Sequence, residues 1–227
     1  GQGSQKTNTI RYPRVFRRYP DARFERRIHE QIWPSLAPHQ PRVLASPYRF
    51  WHYGYALDEA TLAAKRRRNL DTALAVLAEH PDDPFYLHHA GSGHLTVGEQ
   101  RTAIGFLERA LRFATDPGLR ACVLNTLAQT RHELRGDRTA ERHAQESIAT
   151  WPEQRHAWLL LADLRLLQSR HHDAIAALRN LLLTESSLPS DVSVERSVVL
   201  LKLGMCELLT HDATGAVAHL REALELG

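Results

Sequence analysis

Four times along this chain a small residue is followed, 12 positions later, by an alanine: Gly91 and Ala103, Ala128 and Ala140, Ala162 and Ala174, Gly204 and Ala216. Successive copies lie 37, 34 and 42 residues apart. Residues 90–110 fill in the frame, with Gly91, His94, Gly98, Ala103, Leu107 and Ala110 at small, aromatic-like, turn, small, large and small positions. Later copies give Ala140/Ala144/Ser147, Ala174/Leu178/Leu181 and Ala216/Leu220/Ala223. Gly or Ala at a crossing lets two antiparallel helices approach closely, and a leucine one turn on fills the space beside it. One such hairpin cannot bury its apolar face alone, so neighbours must stack and share a core.

A small-residue helical hairpin repeating near every 34 residues is the tetratricopeptide (TPR) signature. The expected fold is mainly α: a TPR-like α-α superhelix of helical hairpins behind a short mixed strand and loop segment. Residues 1–9 read as a tag or disordered tail, 10–56 as a basic segment, and 57–227 as the repeats. The repeats open with a linker helix over 58–80, followed by about four hairpins.

The basic segment is broken by prolines at 13, 20, 34, 38, 41 and 47. Proline cannot sit inside a helix and removes a donor from a sheet ladder. Short strands or loops are expected there, with at most one helical turn near Glu30–Leu36. The region is rich in aromatic residues, including Phe16, Phe24, Trp33 and the Tyr48–Tyr55 stretch, so it should pack against something. Asp58 is the expected cap of the linker helix and Pro81 its stop. Asp82-Asp83-Pro84, Asp116-Pro117-Gly118, Trp151-Pro152 and the longer Thr184–Asp191 stretch separate the hairpins. Gly98, Gly136, Ser169 and His211 are the expected turns within them.

Composition excludes several classes. A chain with 43% hydrophobic and 24% charged residues is that of a soluble globular protein. No run of 18 apolar residues offers a membrane span. Two cysteines, Cys122 and Cys206, build neither a disulfide framework nor a zinc site, so a reducing, cytoplasmic setting is expected. Residues 1–70 hold 14 Lys/Arg against 5 Asp/Glu, while residues 71–227 hold 15 against 21. The basic part could meet an anionic partner, but no nucleic-acid motif accompanies its arginines, so nucleic acid is the lesser reading.

Catalytic motifs are missing. His29-Glu30 begins like the zinc-protease HExxH, but Trp33 stands where the second histidine belongs. There is no GxGxxG, phosphate-binding loop or serine nucleophile elbow. His88 and His89 should point to different sides of a helix. Stacked hairpins present a surface lined by their first helices, and by register Phe85, His88, Ser92, Asn125, Gln129, His132, His156 and Asp163 should lie on or near it. Polar and aromatic side chains there suit a peptide or a partner protein.

The basic segment also carries Pro13-Arg14-Val15-Phe16-Arg17, Arg23-Phe24-Glu25-Arg26-Arg27-Ile28-His29-Glu30-Gln31-Ile32 and His52-Tyr53-Gly54-Tyr55, with Pro81-Asp82-Asp83-Pro84-Phe85 at the entry to the repeats. These resemble the closing part of family 2 glycosyltransferases with tetratricopeptide tails. The resemblance implies that 10–56 is the end of a GT-A catalytic domain whose remainder is missing. It implies a divalent metal and a nucleotide sugar for the full enzyme, and no cofactor in this chain, which lacks the Asp-x-Asp motif. His29 is then a candidate metal ligand, Glu30 a candidate catalytic group, and Arg23, Arg26 and Arg27 candidate phosphate ligands. On that reading the chain binds an acceptor or partner protein and is inactive alone. The alternative is a free-standing TPR adaptor for protein–protein interaction.

Overall fold

The computed structural model describes residues 15–44, 58–187 and 194–226. The expected tail 1–9, the aromatic Tyr48–Tyr55 stretch and residues 188–191 of the last connection lie outside them. Among the described residues the structure is almost wholly helical: α1 (Trp33–Leu36), a 3-10 turn (Ala37–His39), α2 (Glu59–Glu79), α3 (Pro84–Thr96), α4 (Gln100–Phe113), α5 (Pro117–Glu133), α6 (Asp137–Thr150), α7 (Arg155–Leu167), α8 (His171–Leu183), α9 (Arg196–Leu209) and α10 (Ala213–Leu226). The chain divides into two compact units, residues 9–106 and a unit that includes 107–227.

In the second unit α5/α6, α7/α8 and α9/α10 are helical hairpins. The residues that announce them lie where their size is needed. Ala128, Ala140, Ala162, Ala174 and Ala216 have no exposed surface, and Gly204 is buried. A continuous core runs from Ala128, Ala140 and Ala144 through Leu160, Leu164, Ala174 and Leu178 to Val199, Leu203 and Cys206. Hairpins stack through α6 on α7 and α8 on α9. Cys206 is a small buried filler whose thiol is pushed up by burial.

One device ends every first helix. Gly98, Arg135, Ser169 and His211 all adopt left-handed backbone, at φ 80°, 61°, 56° and 63°. The next amide in each case, that of Glu99, Gly136, Arg170 or Asp212, donates back to the carbonyl of His94, Arg131, Arg165 or Glu207. The left-handed residue itself donates to Leu95, His132, Leu166 or Leu208. Both bonds of the Schellman stop are present each time, so the last carbonyls of the helix are satisfied. The sequence points to Gly136 as the second of these turns. The structure puts it at Arg135, 37 residues after Gly98, because the length of the first helix sets the stop; Gly136 follows with an ordinary φ of −90°.

The first unit holds α2 packed on α3. Asp58 caps α2 by accepting from the Thr61 amide at 2.9 Å, and Asp83 caps α3 by accepting from Phe85 and Tyr86. Leu70, Ala73, Val76 and Leu77 form the buried face of α2. The expected short strands are not found among the described residues, where β pairing is limited to one antiparallel bridge between Glu25 and Gln31. Pro34 sits in the first turn of α1 and Pro38 in the 3-10 turn, breaking the segment into pieces too short for a ladder.

Candidate partner-binding surface

The buried crossing residue of each first helix fixes what the rest of that helix presents. Counting from Gly91, Ala128, Ala162 and Gly204, the positions at −6, −3, +1, +4 and +5 fall within an arc of about 100° at 100° per residue. In α3 this gives Phe85, His88, Ser92, Leu95 and Thr96. Cys122, Asn125, Gln129, His132 and Glu133 follow in α5, and His156, Leu159, Asp163, Leu166 and Leu167 in α7. The set in α9 is Val198, Leu201, Met205, Leu208 and Leu209.

In the second unit these positions change character from α5 to α9. On α5 all but Cys122 are polar, and those toward its end engage their own helix or its turn. Gln129 donates to Glu133 at 3.0 Å, and His132 Nδ1 lies 3.0 Å from Asp137. Asn125 departs from expectation. It is buried, and its amide donates to Gln154 Oε1 at 2.6 Å. Gln154, itself without exposed surface, reaches the Ser147 carbonyl and hydroxyl and the Trp151 carbonyl at 2.7–2.9 Å. Asn125 thus serves the seam between hairpins.

On α7, His156 and Asp163 are half-buried, and Asp163 accepts from Lys202 of α9 at 2.6 Å. That bridge ties the two helices on this face. Leu159 and Leu166 are half-buried, while Leu167 is exposed. α9 is wholly apolar at the same positions, exposed from 41% at Val198 to 59% at Leu209. Every exposed side chain of α9 from 198 to 209 belongs to this stripe. The expected list of surface residues stops at Asp163 and so misses it. Carrying the register 42 residues beyond α7 finds it, since His156 maps to Val198 and Asp163 to Met205.

In the first unit the basic segment meets the start of α3, at Phe85 and His89. Arg26 lays its guanidinium 3.6 Å from the centroid of the Phe85 ring, a cation–π contact. The His29 ring stacks on His89 at 4.6 Å, and His89 also meets Phe85 edge-on at 4.3 Å. The His88 and His89 rings are only 5.4 Å apart, so they do not diverge as adjacent helix positions suggested. Ser92 is half-buried. Burial holds the His88 imidazole at about 4 and that of His89 at about 3, with neighbouring imidazoles adding to the effect; burial lowers His29 as well.

The arginines of the segment are engaged too. Arg27 forks onto Glu79 with two bonds of 2.8–2.9 Å, and its amide donates to the Tyr86 hydroxyl at 2.8 Å. The fork raises the Arg27 pKa and lowers that of Glu79. Arg23 lies 3.5 Å from Glu25, and its backbone pairs with the Ser35 hydroxyl. Glu30 is exposed. Among the described residues no three His, Cys, Asp or Glu side chains are grouped to hold a metal ion.

No protein-family model matches the chain. Over 128 residues it is 32% identical to a TPR repeat-containing protein of Synechococcus elongatus, a match covering 52% of this chain and 31% of that protein. The chain thus spans less than a third of that relative. Among solved structures it resembles MamA, with a TM-score of 0.60 and 17% identity over 74% of this chain and 94% of that one. It also resembles YrrB, described as a TPR protein with an unusual peptide-binding site, with a TM-score of 0.57 and 13% identity over 73% and 80% of the two chains. A third likeness is to Pseudomonas aeruginosa PilF, with a TM-score of 0.58 and 16% identity over 70% and 71%.

The fold is therefore that of tetratricopeptide proteins. These likenesses overturn the resemblance to family 2 glycosyltransferases, and none of them supports the inference of a missing catalytic domain. The Arg26–Glu30 run that carried it has a structural explanation: Arg26 covers Phe85, Arg27 pairs with Glu79, Ile28 is buried and His29 stacks on His89. Among the described residues no helix is long and apolar enough to cross a membrane.

Proposed function

We propose that the chain is a TPR-type interaction module that binds a protein or peptide across the first helices α5, α7 and α9. The observation that carries this reading is the apolar stripe of α9. Four of its five side chains lie at positions that α5 fills with polar residues, and a solvated helix face has no need of them. The polar groups beside it, Gln129, His132 and Asp163, supply orientation and specificity. The peptide-binding site named for YrrB, which shares the fold, lends support.

Selection of binders from a displayed random-peptide library tests the reading. Binders should lose at least about tenfold in affinity, about 1.4 kcal/mol, on Leu201→Asp. They should be unaffected by Arg142→Ala on the second helix α6. Binding that responds to α6 and ignores Leu201 would reject the assignment.

A further inference from the structure

Three features of the α9 stripe say what kind of partner it takes, granted the interaction reading above. The first is charge. From 198 to 209 the exposed surface of α9 is apolar throughout, and the flanking Lys202 is already paired with Asp163. A charged group pressed onto this face would lose its water and gain no counter-charge. The contacting face of the partner is therefore uncharged.

The second is the lack of hydrogen-bonding groups. An extended peptide brings a backbone whose N–H and C=O groups need partners when covered. Val198, Leu201, Met205, Leu208 and Leu209 have none to offer, and the α9 backbone is committed to its own helix. An α-helix satisfies its backbone internally and needs only apolar contact. Spacings of three, four and three along Val198, Leu201, Met205 and Leu208 are those of helix-on-helix packing, and Met205 is an adaptable contact.

The third is size. Full burial of such a side chain removes roughly 100 Å² of apolar surface, so five half-exposed ones offer on the order of 250 Å². A stable protein pair needs about 800 Å² on each side, so the stripe alone suits a short, weakly held helix and falls well short of a stable dimer of this chain. Its twelve-residue run, Val198 to Leu209, is about 17 Å long, the length of roughly three helical turns.

We infer that the α9 stripe is the seat of a short amphipathic helix of a partner protein, docked through an uncharged face with apolar residues at i, i+3, i+7 and i+10. The helix lies along α9, and its polar face is turned to solvent.

The test uses three fluorescent 16-residue peptides with the full chain. One carries leucines at i, i+3, i+7 and i+10 with Glu and Lys elsewhere; the second is its scramble; the third has a central proline that forbids the helix. The ladder peptide is expected to bind at least about tenfold more tightly than the other two. Met205→Glu and, separately, Leu201→Lys should each weaken it by a similar factor, with circular dichroism showing both variants folded.

Equal binding of the proline peptide, or a ladder peptide indifferent to both substitutions, would overturn the inference. The interaction reading would survive either result if binders selected from the library still depended on α5 or α7, through Gln129→Ala or Asp163→Ala. It would fail with the inference if no first-helix substitution mattered. A concentration-dependent dimer abolished by Met205→Glu would give the stripe to a second copy and also overturn the inference.

Discussion

Leu220 stands so close to Gly204 that a β-carbon added to the glycine would lie 2.6 Å from the leucine Cγ and 3.3 Å from the Ala216 carbonyl oxygen. This is the α9/α10 crossing, and it shows why the repeat demands a small residue there. Gly204→Ala gains helix propensity of up to about 1 kcal/mol. Overpacking costs about 1–3 kcal/mol, so the net effect should be destabilising. Gly105 on α4 has open space where its β-carbon would stand, and Gly105→Ala should stabilise. Urea unfolding of the two variants checks both signs, and a stabilised Gly204→Ala would show that the crossing has room.

The seam at Gln154 supports a second prediction. Gln154→Leu keeps the volume but strips the buried Asn125 Nδ2 of its acceptor and the Trp151 carbonyl of its Gln154 donor, while the Ser147 carbonyl keeps the Trp151 amide. The cost should be about 2–3 kcal/mol, well beyond one average hydrogen bond, because buried groups are left unpaired. A loss under about 0.5 kcal/mol would mean that the seam rearranges freely.

The docking of residues 25–31 onto α3 should weaken in acid. His29, His88 and His89 all titrate below their ordinary range of about 6.5, so the folded state favours the neutral rings. Arg26 and Lys65 push in the same direction, and Glu30 opposes them. Depressed values mean that this contribution is complete above pH ~6.5 and is lost as pH falls toward ~4 and ~3. Local stability at Arg27, read by hydrogen exchange of the amide that donates to Tyr86, should fall by on the order of 1–3 kcal/mol between pH ~6.5 and ~4. His89→Phe keeps a stacking ring and should flatten that limb. A wild-type profile already flat would contradict the account.

The hairpins were legible because their spacing is a steric requirement: only glycine fits where Gly204 meets Leu220, and a small residue, Gly or Ala, returns wherever helices cross. The polar turn at Arg135 was less so. Gly136 lies in the turn between α5 and α6 as expected, but the left-handed backbone falls on Arg135, which carries no glycine to announce it. The docking of the basic segment had no local signal, since the Arg27–Glu79 fork joins residues 52 apart in sequence. The resemblance offered its arginines to phosphate, whereas Arg23 lies beside Glu25, Arg26 covers Phe85 and Arg27 pairs with Glu79. The α9 stripe was present in the register, hidden by the 42-residue spacing that offsets the last hairpin.

That shift makes its own prediction. Arg135 holds a φ of 61°, which costs a side-chain-bearing residue about 1 kcal/mol. Arg135→Gly should recover roughly 0.5–1 kcal/mol in thermal or urea unfolding. Destabilisation instead would show that the Arg135 side chain has a role outweighing its strain.

The central claim is that the first helices of the second unit form the binding surface, with α9 as its apolar seat. Hydrogen–deuterium exchange of the chain with and without a bound ladder peptide tests it most directly. Added protection is predicted in 198–209 and 159–167, with none in the second helices over 137–150 and 171–183. Protection confined to those second helices would contradict the claim and move the surface to the opposite side of the hairpins.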